Sequence, residues 1–134
     1  MEVMMMKLRN CDDLIPMTNE VFALPIRNLP LADIPLEGVT AYLSQGDNHQ
    51  VIFMHFKNDV ILPEHSHRAQ IGFVLEGEIE LTIDGVMYHF SKGDRYFIPE
   101  GVRHSGRIFA GYADITFFDE MDRYIRKKDV ENGD

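Results

Sequence analysis

The sequence predicts an all-β protein, because short apolar segments of strand length alternate with turns that contain glycine or proline. The clearest strand covers residues 78–84, where Ile79, Leu81 and Ile83 alternate with polar residues, so one face should be buried and the other solvated. The Asp84-Gly85 pair that follows is typical of a tight hairpin turn. Turns recurring every ~8–12 residues indicate a β-sandwich or a barrel.

Other segments of the same length and character predict the rest of this architecture. Further strands are expected at residues 39–44, 50–56, 59–62, 86–90, 96–98, 107–109 and 112–118, with His104 on one more. We expect six to ten strands in total, which would form the barrel over residues 37–118.

The two ends of the chain have a different character. Prolines interrupt residues 16–35 too often for a long helix or a central strand, so residues 1–36 are expected to form an extended arm, with a first strand from Val3 to Leu8. Residues 119–128 begin with acids and end with bases, which suits a helix dipole and predicts a short C-terminal helix. The arm, the barrel, and the helix with its tail (119–134) are expected to form one domain.

Composition limits the classes of partner. The net charge of −9 disfavours nucleic acid and anionic membranes, and no apolar run approaches the ~20 residues of a membrane span. The apolar N-terminus is too short for a secretory signal, and the single Cys11 excludes an intramolecular disulfide. We therefore expect a cytoplasmic protein whose partner is a small-molecule substrate or ligand.

A candidate metal site lies in the segment from residue 63 to 77. His65 and His67 are two residues apart, a spacing that points both imidazoles to one face of an extended strand. Gln70 follows with a side-chain carbonyl, and a neighbouring strand can bring His104 to the same point. Three imidazoles and one amide oxygen form a neutral ligand set for one divalent transition metal, and Zn, Ni, Mn, Fe and Cu all remain open.

These residues carry a resemblance to the cupin superfamily. Gly93, Pro99, Gly101 and His104 have the spacing of the second cupin motif, and residues 65–77 resemble the first motif. The similarity covers residues 36–118 and implies a double-stranded β-helix, or jelly-roll, barrel with a metal in its mouth, and a homodimer.

Two departures from the motifs are visible. Gln70 takes the position usually held by Glu and comes one or two residues early, and Ile108 stands where an Asn often closes the second motif.

The His, His, Gln, His set is similar to that of the small uronate-linearising cupins of pectin and alginate breakdown. Those enzymes convert ring-closed unsaturated uronates into open-chain keto acids, which implies a role in carbohydrate metabolism and an isomerase-like reaction. Residues 114–121 lack the Pro and Arg that follow the last barrel strand in that group. The same ligand set also occurs in sugar isomerases and polyketide cyclases.

Several other residues are candidates for catalysis or substrate binding. For proton transfer we consider Tyr96, Asp114, Glu100 and Tyr42. The arginines that flank the predicted ligands can hold a substrate carboxylate by paired hydrogen bonds or lie solvated on the barrel rim; they are Arg68, Arg103 and Arg107.

The sequence thus predicts a metal-binding cupin that acts by Lewis-acid catalysis, through isomerisation or ring opening, on a small sugar acid or keto acid. Two alternatives remain open. One is a metal-dependent dioxygenase, and the other is a non-catalytic cupin that binds a small molecule such as a sugar.

Overall fold

The structure is a computed structural model that describes residues 20–128 of the chain. The strand predicted from Val3 to Leu8 lies outside the described residues. Within residues 20–128, nine strands form two antiparallel sheets. They are β1 (Val39–Gln45), β2 (Gln50–Phe56), β3 (Val60–His65), β4 (Gln70–Glu76), β5 (Glu78–Ile83), β6 (Val86–Ser91), β7 (Arg95–Ile98), β8 (His104–Ile108) and β9 (Ala113–Phe118).

The two sheets enclose the core of a jelly-roll barrel, as the sequence predicted. One sheet has the strand order β1-β2-β9-β4-β7 and the other the order β3-β8-β5-β6. The most deeply buried apolar side chains come from both sheets, with Ile52 and Phe118 on the first and Ile79 on the second. Buried apolar residues alternate with more exposed ones along strands such as β2 and β5, and the removal of these inward-facing side chains from water stabilises the closed barrel.

The described part of the N-terminal arm packs across the five-stranded sheet. Phe22 is buried edge-on against the rings of Tyr42 and Phe53. A four-residue helix, α1 (Leu24–Arg27), has a proline in its first turn, where the missing N–H has no intrahelical partner to lose. Within residues 20–128, no helix has the length and apolar character needed to cross a membrane.

The predicted C-terminal helix is wrong for residues 119–128, which form bends and one isolated bridge. The backbone groups of this segment bond to other parts of the chain. The fully buried Gln50 donates from Nε2 to the Tyr124 carbonyl (2.8 Å) and accepts from the Tyr124 amide (3.0 Å). The Ile125 carbonyl accepts from the Asp33 amide at 2.7 Å. These tertiary bonds replace the i to i−4 bonds that a helix would make.

Candidate metal centre

Two of the three predicted imidazoles face each other across a pair of strands. In the β3–β8 ladder His65 is the direct partner of His104, after an irregularity between Leu62 and His65 shifts the register. Their ring centroids are 4.2 Å apart. The irregularity occurs at Pro63, which cannot donate a ladder hydrogen bond. The bulged geometry re-aims the His65 side chain toward His104.

The third imidazole reaches the same point from a loop. The sequence predicted His65 and His67 on one extended strand, but β3 ends at His65 and His67 lies in the connection to β4. The His67 carbonyl accepts a hydrogen bond from the Gly101 amide at 2.9 Å, which ties this loop to the turn before β8. Its ring centroid lies 4.7 Å from that of His104 and 5.2 Å from that of His65. One ring nitrogen from each of the three histidines lies within 4.8 Å of the others.

The hydrogen bonds of these histidines place their protons away from the shared point. Each Nδ1 lies beside a backbone carbonyl, at 2.7 Å for His65, 2.7 Å for His67 and 2.9 Å for His104. A carbonyl oxygen only accepts, so each Nδ1 carries the hydrogen and each Nε2 keeps its lone pair. Carbonyls in this role fix the tautomer and orientation of metal-binding histidines. The donor set therefore fits a divalent transition metal.

Burial favours the neutral imidazoles. The pKa of His67 is lowered to about 4, chiefly because burial disfavours the charged form, with smaller effects from Arg123 and the other two histidines. The pKa of His104 is lowered for the same main reason, and its side chain is 3% exposed. A metal can bind these two nitrogens at neutral pH without displacing protons.

The histidines line a cavity of about 400 Å³ between the two sheets. Aliphatic and aromatic side chains form most of its wall, and a few polar groups converge on it, as in many small-molecule sites. Both Tyr96 and Asp114, which sequence reasoning selected for proton transfer, lie in this wall. The structure thus places the predicted acid–base candidates in one cavity with the predicted metal ligands.

Asp114 accepts hydrogen bonds on one carboxyl oxygen only. Tyr112 donates to Oδ2 at 2.6 Å and Tyr96 donates to the same atom at 3.5 Å. The other oxygen, Oδ1, is buried and has no hydrogen-bond partner among the described residues. Burial raises the pKa of Asp114 to about 7, although both tyrosine hydrogen bonds oppose the shift. Tyr112 was missed in the sequence, because only the fold shows that its hydroxyl turns toward a carboxylate two residues away.

Gln70 lies at the start of β4 and lines the same cavity. Its Nε2 donates to the Tyr96 hydroxyl at 3.3 Å, and this contact leaves the side-chain carbonyl available as a ligand. Its role as a fourth metal ligand stays a prediction.

The three arginines that flank the ligands in sequence do not line the cavity. The guanidinium of Arg68 donates to the Asp119 carbonyl at 2.9 Å, and Arg103 pairs with Glu64 at 2.9 Å on the surface. Arg107 lies over the Phe109 ring. Arg107 is three positions from His104 on β8, and an odd offset along a strand points to the opposite face. Arg68 and Arg103 lie in the connections before β4 and β8, where the contacts just described hold their side chains. As substrate-binding residues they therefore find no support in the geometry.

An arginine that the sequence analysis did not select, Arg123, does line the cavity. It lies in the segment predicted as a helix, where nothing in the local pattern distinguishes it from the neighbouring charged residues. Of the other two acid–base candidates, neither lines this cavity. Glu100 is exposed in a turn, and Tyr42 packs against Phe22 on the other side of the sheet.

Comparison with known proteins supports the fold. The family model described as "Cupin domain" matches residues 52–111. Over 56 residues the chain is 43% identical to the HTH-type transcriptional regulator PuuR of Escherichia coli (strain K12), and equally to PuuR of Shigella flexneri. Each match covers 36% of this chain and 30% of the regulator, so the chain spans about a third of the length of these relatives.

Solved structures share the architecture at low sequence identity. An RmlC-like cupin from Shewanella frigidimarina NCIMB 400 matches with a TM-score of 0.64 and 24% identity, over 78% of this chain and 95% of the other. KdgF from Halomonas sp. matches with a TM-score of 0.58 and 19% identity, over 68% and 87%. A mutant of oxalate decarboxylase OxdC from Bacillus subtilis matches with a TM-score of 0.62 and 19% identity, over 87% and 36%. At these identities the likeness is one of fold.

Proposed function

We propose that this chain, which is a small cupin, holds one divalent transition metal at His65, His67 and His104 and acts as an enzyme on a small sugar acid or keto acid. One observation carries the proposal. Three imidazoles with free Nε2 atoms and a buried carboxyl group with a free oxygen, on Asp114, line one cavity. When bound, the metal supplies a Lewis acid that polarises an oxygen of the substrate.

Asp114 is the residue that we assign to proton transfer. Isomerisation or ring opening removes a proton from one substrate atom and returns it to another, so the reaction consumes no co-reactant. A carboxyl group with a pKa of about 7 populates both protonation states at neutral pH, which suits a group that both accepts and donates. Its free Oδ1 is the atom that would carry the proton, while Tyr112 and Tyr96 hold Oδ2.

Gln70 is the fourth ligand in this proposal. An amide oxygen adds no negative charge, so the metal keeps its full divalent charge toward a substrate oxygen. The similarity of this neutral set to that of the uronate-linearising cupins supports an unsaturated uronate as the first substrate to test.

The test combines metal analysis with turnover. Protein purified without a tag or chelator is expected to contain close to one Zn, Ni or Mn per chain, and to convert an unsaturated uronate into a keto acid with uptake of one solvent deuteron. Asp114→Asn, which preserves the volume of the side chain, should keep the metal and lose turnover. Stoichiometric Fe or Cu with oxygen uptake would instead support the dioxygenase. Protein that cannot be loaded with metal would contradict the proposal.

One comparison favours a second function. A stretch of 56 residues is 43% identical to part of a protein named as a transcriptional regulator, and this similarity suggests that the barrel binds a small molecule as a signal. Tight binding of a sugar acid, with metal present but no turnover of any uronate, would support this non-catalytic function.

Two further expectations from the sequence belong to the proposal. We expect a cytoplasmic homodimer, on the basis of the single cysteine, the proline-rich arm and the cupin resemblance. Light scattering of the purified chain measures its oligomeric state, and a monomer at micromolar concentration would contradict the dimer.

A further inference from the structure

Arg123 reaches the cavity from the irregular segment 119–128. Its guanidinium carbon lies 4.8 Å from the centre of the Tyr124 ring and 5.8 Å from that of Phe118. The Phe118 ring also contacts the ring of His67, with centroids 5.6 Å apart. Arg123 and His67 thus share one aromatic neighbour, and the positive charge of Arg123 helps to lower the pKa of both His67 and His104.

This arginine has no ion-pair partner within residues 20–128. The described residues form three ion pairs, and none of them involves Arg123. Its Nε atom is buried and has no hydrogen-bond partner in the part of the chain that the structure describes. The aromatic rings cover the faces of the guanidinium, but they offer no acceptor in its plane to the buried Nε–H. A buried charged donor without an acceptor is costly, and a bound anion would remove that cost.

The charges that line the cavity point to the same ligand class. Asp114 is the one acid in the described lining. A divalent metal on neutral ligands, together with Arg123, would carry three positive charges. The cavity would then be positive although the whole chain has a net charge of −9.

We propose that Arg123 is the carboxylate-binding residue of the cavity, and that the natural ligand is a small carboxylic acid whose carboxylate it holds by paired hydrogen bonds. The planar guanidinium matches a carboxylate in a two-point contact. Gln50 fixes the adjacent Tyr124 backbone at two atoms, so the arginine is held in place before a ligand arrives. This inference rests on the proposed function and names its substrate class.

The experiment is calorimetric binding of three probes to metal-reconstituted protein. They are galacturonate, its neutral counterpart galactose, and galactose 1-phosphate. The wild-type chain should bind galacturonate more tightly than either of the others. Arg123→Gln should weaken galacturonate binding by about 10- to 100-fold and leave metal content and galactose binding unchanged. Arg123→Lys keeps the positive charge but loses the planar guanidinium that donates two parallel hydrogen bonds, so it should recover only part of the affinity.

Arg126→Gln is the matched control, because it removes the same charge from an exposed side chain three residues away. It should change galacturonate affinity by less than about twofold. Equal binding of galacturonate by Arg123→Gln and wild type would overturn the inference, as would loss of metal from Arg123→Gln. A wild-type preference for galactose or for galactose 1-phosphate over galacturonate would also overturn it.

The outcome is distinguishable from failure of the proposed enzyme. Arg123-dependent binding of galacturonate without any turnover would preserve the carboxylate site and reject catalysis. Turnover of a uronate that survives Arg123→Gln unchanged would preserve the enzyme and reject the carboxylate site.

Discussion

The Nε2 atom of His104 lies 3.1 Å from the Nε2 atom of His67. Both rings donate from Nδ1 to backbone carbonyls, so two lone pairs face each other across this gap. Nitrogens bound at ~2.1 Å to one metal are separated by about 3.0 Å at right angles and about 3.4 Å at the tetrahedral angle. The observed separation falls between these values, so a cation can occupy the shared point with little movement of either ring.

Removal of one imidazole should empty this site without unfolding the barrel. His104→Ala is expected to reduce metal affinity by on the order of 100-fold or more, since even the outer partners of metal ligands contribute 10- to 100-fold. Elemental analysis after dialysis measures the metal, and circular dichroism reports the fold. His89→Ala is the control, because His89 is an exposed histidine paired with Glu78. Full metal occupancy in His104→Ala would refute the ligand assignment.

The stability of the metal-free protein should depend on pH through His67. Its pKa is about 4 in the folded state and 6.5 when unperturbed, so between these values the unfolded chain binds more protons. The wild type should therefore lose stability as pH falls from 6.5 to 4, and His67→Asn should lose less. Urea unfolding at several pH values, after metal removal, measures the difference. Parallel profiles for the two proteins would contradict the shifted pKa.

The lowered pKa of His67 also changes the pH at which metal affinity should begin to fall. At a histidine with an unperturbed pKa, protons compete with the metal for the ring nitrogen below a pH of ~6.5. His67 remains largely neutral down to a pH of about 4. Proton competition at this ligand is expected to set in at that lower pH.

The hydroxyl of Tyr112 should hold the pKa of Asp114 below the value that burial alone would give. Tyr112→Phe removes the 2.6 Å hydrogen bond to Oδ2, so it should raise this pKa above about 7. Tyr96→Phe should raise it less, because its contact is 3.5 Å long. Carbon-13 NMR of the labelled carboxyl group measures both values. A larger effect from Tyr96→Phe would reverse the assigned order of the two bonds.

The sign of the Asp114 contribution to stability is opposite to that of His67. Its folded pKa is raised, so its contribution is fully present below a pH of ~4 and is lost as pH rises through about 7. The contributions of His67 and Asp114 to stability both change between a pH of about 4 and about 7. Asp114→Asn removes the second contribution, so the pH dependence that remains in this variant can be assigned to His67.

A side chain at position 72 should displace the Tyr96 ring. A Cβ built on Gly72 would overlap the end of that ring, and Tyr96 is itself buried. Gly72→Ala is expected to lower the free energy of unfolding by about 1–3 kcal/mol, the usual cost of overpacking. In a Tyr96→Ala background the same substitution should cost less, which a double-mutant cycle measures. Equal costs in the two backgrounds would show that the ring is not the obstacle.

Much of the barrel follows from local pattern. The second strand was predicted with its observed bounds, Gln50–Phe56, because it is an apolar run of strand length that follows a turn. The convergence of His65, His67 and His104 was also predicted, although His67 lies in a loop. The spacing of the histidines in the two cupin motifs therefore predicted their convergence correctly, although β3 ends at His65 and does not extend to His67.

The remaining features depend on contacts between distant parts of the chain. Acids and bases in 119–128 favour a helix, yet Gln50, some 74 positions away, takes the backbone bonds of Tyr124. Adjacency in sequence favoured Arg68 and Arg103, but both lie in connections between strands and bond instead to the Asp119 carbonyl and to Glu64. Arg123 enters the cavity only because the segment that carries it fails to become a helix.

The two parts of the cavity wall differ in how they can open. His65 and His104 belong to paired strands, while Arg123 belongs to an irregular segment that single hydrogen bonds to separate parts of the chain hold in place, Gln50 to Tyr124 among them. Segments of this kind open locally at a lower free energy than the sheets they cover. Opening of this segment, and not unfolding of the barrel, would then set how long a ligand stays bound. The residence time of the ligand can therefore change while the melting temperature of the barrel stays the same. The dissociation rate should follow hydrogen exchange at the Tyr124 amide, and it can be changed by substitutions that touch neither the metal nor the ligand.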